Sequence, residues 1–213
     1  MVIQRLGQYC TKLQVGDQVI GINSPSKDSI FKTVRFGSQV ALQSLAHPDF
    51  NGTDNLQGKA DNDCYTVRGP GEYEISDIFI HAFATRSSYG GRGDQINTLY
   101  SILFDGINIV YIGPLTNTDI PEEAQEDLYQ ADIIFIPIGG GDVLGSEEAY
   151  NFVKKFSPRV VIPIGYDENK NKADLKAFTA HFGEHAQSED KLTIKKKDVE
   201  HERMDVVVLA EQK

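Results

Sequence analysis

The stretch ADIIFIPIGGGDVLGSEEAYNFVKKFSPRVVIPIGY, residues 131–166, constrains the fold more than any other part of this chain. Ile133, Ile134, Phe135 and Ile136 form a continuous apolar run, rich in β-branched residues, as a strand covered on both faces requires. Gly139, Gly140 and Gly141 follow and allow a tight turn. Ser146 offers an N-cap, and Glu147 and Glu148 fall in the positive first turn of a helix. Ala149, Phe152, Val153 and Phe156 then recur at helical spacing, Pro158 stops the helix, and Val160, Val161 and Ile162 re-enter a sheet. A strand, helix and strand in that order make a crossover unit, so the fold class is α/β.

Strands dominate the N-terminal half. VIQRL, CTKLQV and QVIGIN, separated by turns at Gly7 and at Gly16-Asp17, predict an antiparallel meander. Residues 40–45 (VALQSL) predict a further short strand, and HPDFNGTDN after it is loop chemistry. Strands are expected at 73–75 and 78–84, then a loop in SSYGGRGDQ. NTLYSILFDGINIVYIG reads as a hairpin turning at Asp105-Gly106. Helices are expected at 121–130 and, after a polar segment following Tyr166, near 172–182; LTIKKK and DVVVLA predict two closing strands. With no repeat or linker, one domain over residues 1–213 is expected.

The formal net charge of −10 argues against a nucleic-acid backbone or an anionic membrane surface as partner. Lys195, Lys196 and Lys197 read as a solvated strand edge. Cys10 and Cys64 are isolated, which indicates neither a disulfide framework nor a thiolate metal site. No apolar run approaches the ~18 residues of a membrane span, and no signal region precedes the first strand, so a cytoplasmic location is expected.

LGQYC, GPGEYEI, INTLYSILFDGINIVYIGPL, DIIFIPIGGG and RVVIPIGY, in this order, resemble the metallo-β-lactamase fold. The branch they most resemble is that of small bacterial metal-dependent hydrolases related to ascorbate-6-phosphate lactonase. The resemblance implies an αββα sandwich of two mixed β-sheets flanked by helices, with a site at one edge between the sheets. It also implies a metal-ligand set that this chain largely lacks. The HxHxDH loop falls on His47, Asp49, Asn51 and Gly52, where only the first histidine survives. The next histidine falls near Arg86 or Ser87. In the HxGD turn, Tyr111 stands for the histidine and Pro114 for the bridging aspartate. The last histidine falls on Gly165, before Tyr166, and the early Asp-Pro turn is replaced by Asn23-Ser24-Pro25. A dinuclear zinc hydrolase needs several imidazoles and a bridging carboxylate, which glycine, proline and asparagine cannot supply.

Other constellations carry less. His181 and His185 stand four apart at a helix end with no third ligand near in sequence. His81 shares a strand face with Phe79 and Phe83 and is expected to be a packed core histidine. Glu72 and Glu74 share a strand face and are expected to face solvent. The Gly139 to Gly141 loop precedes a helix and could cradle an anion, but lacks the Lys-Ser/Thr of a P-loop. Arg86 is expected either in solvent beside Tyr89 or inside the cleft, paired with Asp49 or holding a small anion together with the glycine loop.

The leading expectation is a non-catalytic protein of this fold that binds a small anion or a partner, with no cofactor, through a cleft lined by His47, Asp49, Asn51, Arg86, Tyr111, Gly139, Gly140, Gly141 and Tyr166. The alternative is a hydrolase of the same superfamily using unusual zinc ligation around His47, Asp49 and Asp54. A structural, oligomer-forming subunit is the third reading. A homodimer is expected on the ground that the apolar DVVVLA strand needs cover from its own sheet or from a second copy.

Overall fold

The computed structural model describes residues 1–57, 64–167 and 172–212. The predicted meander is present as β1 (Val2–Arg5), β2 (Thr11–Val15) and β3 (Gln18–Ile22), paired antiparallel. β4 (Val40–Leu42) and β5 (Tyr65–Val67) extend this sheet in parallel. β4 is shorter than expected because the chain is diverted at Ser44, whose N–H donates to the side-chain oxygen of Asn23 at 2.8 Å.

A second sheet begins with β6 (Gly71–Ile75), β7 (Ile78–Ser87), β8 (Gln95–Phe104) and β9 (Ile107–Tyr111), an antiparallel run. Asp105 and Gly106 have φ of 55° and 72°, the two left-handed residues a tight hairpin needs. After α1 (Glu122–Tyr129) comes the crossover: β10 (Ile133–Pro137), α2 (Ser146–Phe156) and β11 (Val160–Ile164), with β10 and β11 parallel. The chain closes with α3 (Lys172–Ala180), β12 (Ala186–Glu189), β13 (Leu192–Thr193) and β14 (Asp205–Leu209).

The six-stranded sheet has the order β13-β1-β2-β3-β4-β5, and the eight-stranded sheet β12-β14-β11-β10-β9-β8-β7-β6. One core fills the space between them, where Ile3, Leu13, Ile20 and Leu42 face Ile80, Ile102, Ile109 and Phe135. The other lies on the far side of the larger sheet, where Val110, Ile134 and Val161 meet Phe152, Phe156 and Phe178 of the helices. Two mixed sheets with flanking helices are the expected αββα arrangement.

Several local expectations are corrected. Gly145, not Ser146, is the N-cap of α2, and its N–H donates to Glu148 Oε2 at 3.0 Å. Ser146 Oγ instead donates to the carbonyl of Asp174, joining α2 to α3. The lysine run forms no strand: Lys196–Val199 is a 3₁₀ turn, because Asp198 accepts the Lys195 N–H and Lys196 Nζ reaches Asp132 at 2.7 Å. DVVVLA becomes β14, flanked by β11 and β12, so its own sheet covers it and the ground for expecting a second copy there is removed.

His81 is not in the core. β7 turns Ile78, Ile80 and Ala82 inward, leaving His81 half exposed, 3.4 Å from Asp127 of α1. The i, i+4 histidines part company: His181 stacks on Tyr150 and His185 lies 3.4 Å from Asp205. Glu72 and Glu74 are exposed on the edge strand β6. Most of the polar segment after Tyr166 lies outside the described residues. No helix among the described residues is long and apolar enough to cross a membrane.

Candidate functional site

The β1–β2 turn and the loops after β4 and β7 meet at one edge of the sandwich, where their aromatic rings pack together. Phe50 lies 4.9 Å from both Tyr9 and Tyr89, and Tyr89 lies 5.2 Å from His47 and 5.9 Å from Tyr9, all centroid to centroid. Beneath them Asp49 is 4% exposed. A carboxylate this buried needs donors, and it has them: Ser29 Oγ at 2.5 Å on Oδ1 and Tyr89 Oη at 2.9 Å on Oδ2. Burial, then the charge of Asp49, pushes the Tyr89 phenol well above its ordinary pKa, so it stays a donor.

His47 Nδ1 accepts the backbone N–H of Asp49 at 3.2 Å, which places the proton of the neutral ring on Nε2. Burial lowers the His47 pKa; Asp49 opposes that shift and Arg92 adds to it. The His47 ring packs edge-on against Phe50 and Tyr89.

At Gly165 a Cβ would overlap Oη and Cζ of Tyr9 and lie 2.9 Å from its Cε1. The Tyr9 ring therefore fills the space that a histidine at 165 would need. The turn carrying it is pinned from both sides: Gly165 N–H donates to the Gln8 carbonyl at 2.8 Å, and Tyr111 Oη donates to the Tyr9 carbonyl. Tyr9 Oη has no hydrogen-bond partner among the described residues, and burial raises its pKa well above the ordinary value, with Tyr89, Tyr111 and Asp49 adding to the shift.

The remaining positions are likewise taken up. A Cβ at Gly52 would overlap the Pro25 carbonyl and come within 2.6 Å of Ser26 N. Asn23 Nδ2 donates to Ser44 Oγ at 3.1 Å. Ser87 Oγ donates to the carbonyl of Pro114 at 2.5 Å, which leaves a serine and a backbone oxygen where a histidine and the bridging aspartate are expected.

Of the residues the sequence singled out, His47 and Asp49 are brought together, and Tyr111 lies fully buried below them. Asn51 is exposed, its N–H bonded to the His47 carbonyl. Arg86 takes neither inward position. Its side chain is 62% exposed and pairs with Asp94 at 3.1 Å: the burial alternation of β7 changes phase between Ala82 and Thr85, so that Thr85 and Ser87 are buried and Arg86 is not. Tyr166 belongs to the helix-side core, across the larger sheet from Tyr9, with the Arg5 guanidinium 4.5 Å above its ring. Gly140 N–H is bonded to Leu144, and the start of α2 is capped by Glu148, so this loop already carries a carboxylate of its own. Tyr9, Ser29 and Tyr89 were missed. The glycine at 165 was the one signal for Tyr9, since a position without a side chain leaves space that a neighbour must fill.

These residues do not fit a dinuclear centre. Among the described residues no group of three or more His, Cys, Asp or Glu side chains is arranged to hold a metal ion. Asp54, the third ligand of the zinc alternative, is exposed on the 3₁₀ turn Thr53–Leu56.

The sheets, their order and the loops gathered at one edge define a metallo-β-lactamase-type sandwich. Residues 2–165 match the family described as Beta-lactamase superfamily domain, and the chain belongs to that superfamily. Its fold is similar to that of a protein described as a Zn-dependent hydrolase of the metallo-β-lactamase superfamily from Thermotoga maritima, with TM-score 0.77, 19% identity and coverage of 98% of this chain and 97% of that one. It is also similar to a protein from Parabacteroides distasonis described as a metal-dependent hydrolase, with TM-score 0.65, 18% identity and coverage of 99% and 93%. For a metallo hydrolase from Ignicoccus hospitalis the values are 0.57, 20%, 84% and 91%. A search of curated proteins finds no match.

Proposed function

We propose that this chain is a non-catalytic member of the superfamily, from the branch related to ascorbate-6-phosphate lactonase, which acts as a binding or interaction protein. The observation that carries this reading is the Tyr9 ring lying in the space of a side chain at 165. Asp49 supports it, because both its oxygens already accept hydroxyl protons. A metal would have to displace these bonds, each worth about 1.5–3 kcal/mol when made to a charged group. It would then find one neutral imidazole and one carboxylate, fewer ligands than a catalytic zinc requires. Arg86 faces away, so a small anion at this edge loses its expected cation, and the partner-binding form of the reading is the better supported. The two free cysteines suit a reducing compartment, and the cytoplasm is the proposed location.

The test is elemental analysis of the purified protein, with and without added Zn²⁺ or Mn²⁺, alongside assays on phosphoesters and lactones. The expected result is metal well below one equivalent and no turnover. A full equivalent of metal that is lost in His47→Ala, together with hydrolysis, would overturn the reading in favour of the hydrolase.

A further inference from the structure

The connection between β3 and β4, residues 23–39, carries no regular helix or strand, yet exceeds the ~12–15 residues beyond which such loops are uncommon and usually functional. Hydrogen bonds within the segment and to the chain beyond it hold it in place. Ser24 Oγ donates to the Val34 carbonyl at 3.2 Å, and Phe36 N–H donates to the Asn55 carbonyl at 3.2 Å. It lies against the outer face of the six-stranded sheet, the face to which Lys12 points while Leu13 enters the core. Between loop and sheet is a cavity of about 430 Å³ lined by Lys12, Lys32, Arg35, Phe36 and Leu6, among others. That volume lies within the ~300–1,000 Å³ of small-molecule sites.

Two features make this more than a solvated surface. The first is the charge. The chain has 31 acidic against 21 basic residues, yet no ion pair among the described residues involves Lys12, Lys32 or Arg35. Three cations beside one cavity, none of them ion-paired among the described residues of an acidic protein, form a place of locally positive potential. The second is the ring. Phe36 is seated over Gly21, where a Cβ would lie 3.1 Å from the ring and 2.7 Å from Leu56, so larger residues at 21 would push the ring out. Lys12 Nζ stands 5.7 Å from the centre of that ring. At the far wall, Glu211 and Gln212 offer acceptors, and Glu211 is itself engaged within the protein.

From this juxtaposition the geometry points to a binding site for a small organic anion: a flat ring carrying a phosphate. Lys12, Lys32 and Arg35 hold the phosphate, Arg35 through its fork of donors, and Phe36 packs against the ring. The cavity lining shares no residue with the His47 and Asp49 cluster, so the proposal neither needs nor excludes the non-catalytic reading above.

Adenosine 5′-monophosphate, adenosine and inorganic phosphate are suitable probes, titrated calorimetrically at low salt with amide shifts mapped by NMR. Saturable binding of the monophosphate is expected, with shifts at Lys12 and Phe36. Removal of either half of the probe should weaken binding about tenfold, as loss of one charge-assisted contact or one packed ring does. Lys12→Met with Arg35→Gln should reduce affinity for the monophosphate at least about tenfold, whereas Phe36→Leu should reduce it without changing affinity for phosphate. Both lysine and arginine lie at the surface, and an unchanged melting temperature checks that the variant is folded. No saturable binding of the monophosphate, or equal binding by the Lys12→Met, Arg35→Gln protein, overturns the proposal. Metal content measured on the same samples keeps this result separate from the fate of the non-catalytic reading.

Discussion

Tyr9 and Gly165 make one structural unit from two distant residues, and each explains the other. Gly165→His would force a Cβ into the Tyr9 ring at a backbone φ of 67°, at an expected cost of about 2–5 kcal/mol. Tyr9→Ala empties the same space, at about 3–5 kcal/mol. The double variant should cost clearly less than the sum, since a histidine can enter the space the ring has left. Denaturant unfolding of the four proteins decides it; strictly additive costs would mean that the two positions do not share that volume. His47 gives a pH signature. Its folded pKa lies below the ordinary ~6.5, so in mildly acid solution the unfolded chain binds more protons than the folded one. Its stabilising contribution is therefore complete above ~6.5 and is lost as the pH falls towards the folded pKa. Stability measured between about pH 7 and pH 5 should fall less steeply in His47→Gln, and identical slopes would refute this. Burial pushes the Cys10 thiol up to about 12, while Cys64 is only half-buried, its Sγ 3.4 Å from Ser38 Oγ. A thiol reagent near pH ~8 should label one cysteine in the native protein and two in denaturant; rapid labelling of both in the native state would contradict the burial argument.

Among the elements, those with a strong local pattern were legible. The apolar runs of β10 and β11 and the Asp105-Gly106 turn specify their structures through nearest neighbours alone. β12, Ala186–Glu189, was not legible, because AQSE has no apolar alternation and becomes a strand only by pairing with β14. The lysine run was misread for the converse reason: the contact of Lys196 with Asp132 is invisible to any local window. The site follows the same rule. The absence of histidine at 52 and 165 could be read, whereas the rings and hydroxyls that occupy this edge come from Tyr9, Ser29 and Tyr89, far away in sequence. At the end of α2, Ser157 adopts a left-handed conformation with φ 50° and ψ 52°. Glycine carries no steric penalty there, so Ser157→Gly should stabilise the protein by up to about 1 kcal/mol, less what is lost with the bond from Ser157 Oγ to the Lys154 carbonyl. A lowered melting temperature would show that the hydroxyl matters more than the backbone.

For the whole molecule, the two cores and the ladder hydrogen bonds join the sheets and helices into one assembly. If no metal binding is linked to folding, a chelator should leave the melting temperature unchanged, and a clear fall on adding one would reveal a bound ion. The sheets are also tied by Arg5 of β1, which is buried and whose Nε donates to the Leu209 carbonyl of β14 at 2.7 Å. The closed edge constrains any redesign. A histidine placed at 165 collides with Tyr9; a smaller residue at 9 leaves a void; a larger one at 52 strikes the Pro25–Ser26 backbone. Each such change taken alone costs stability, so this packing opposes conversion of the edge into a metal-binding one unless several positions change together.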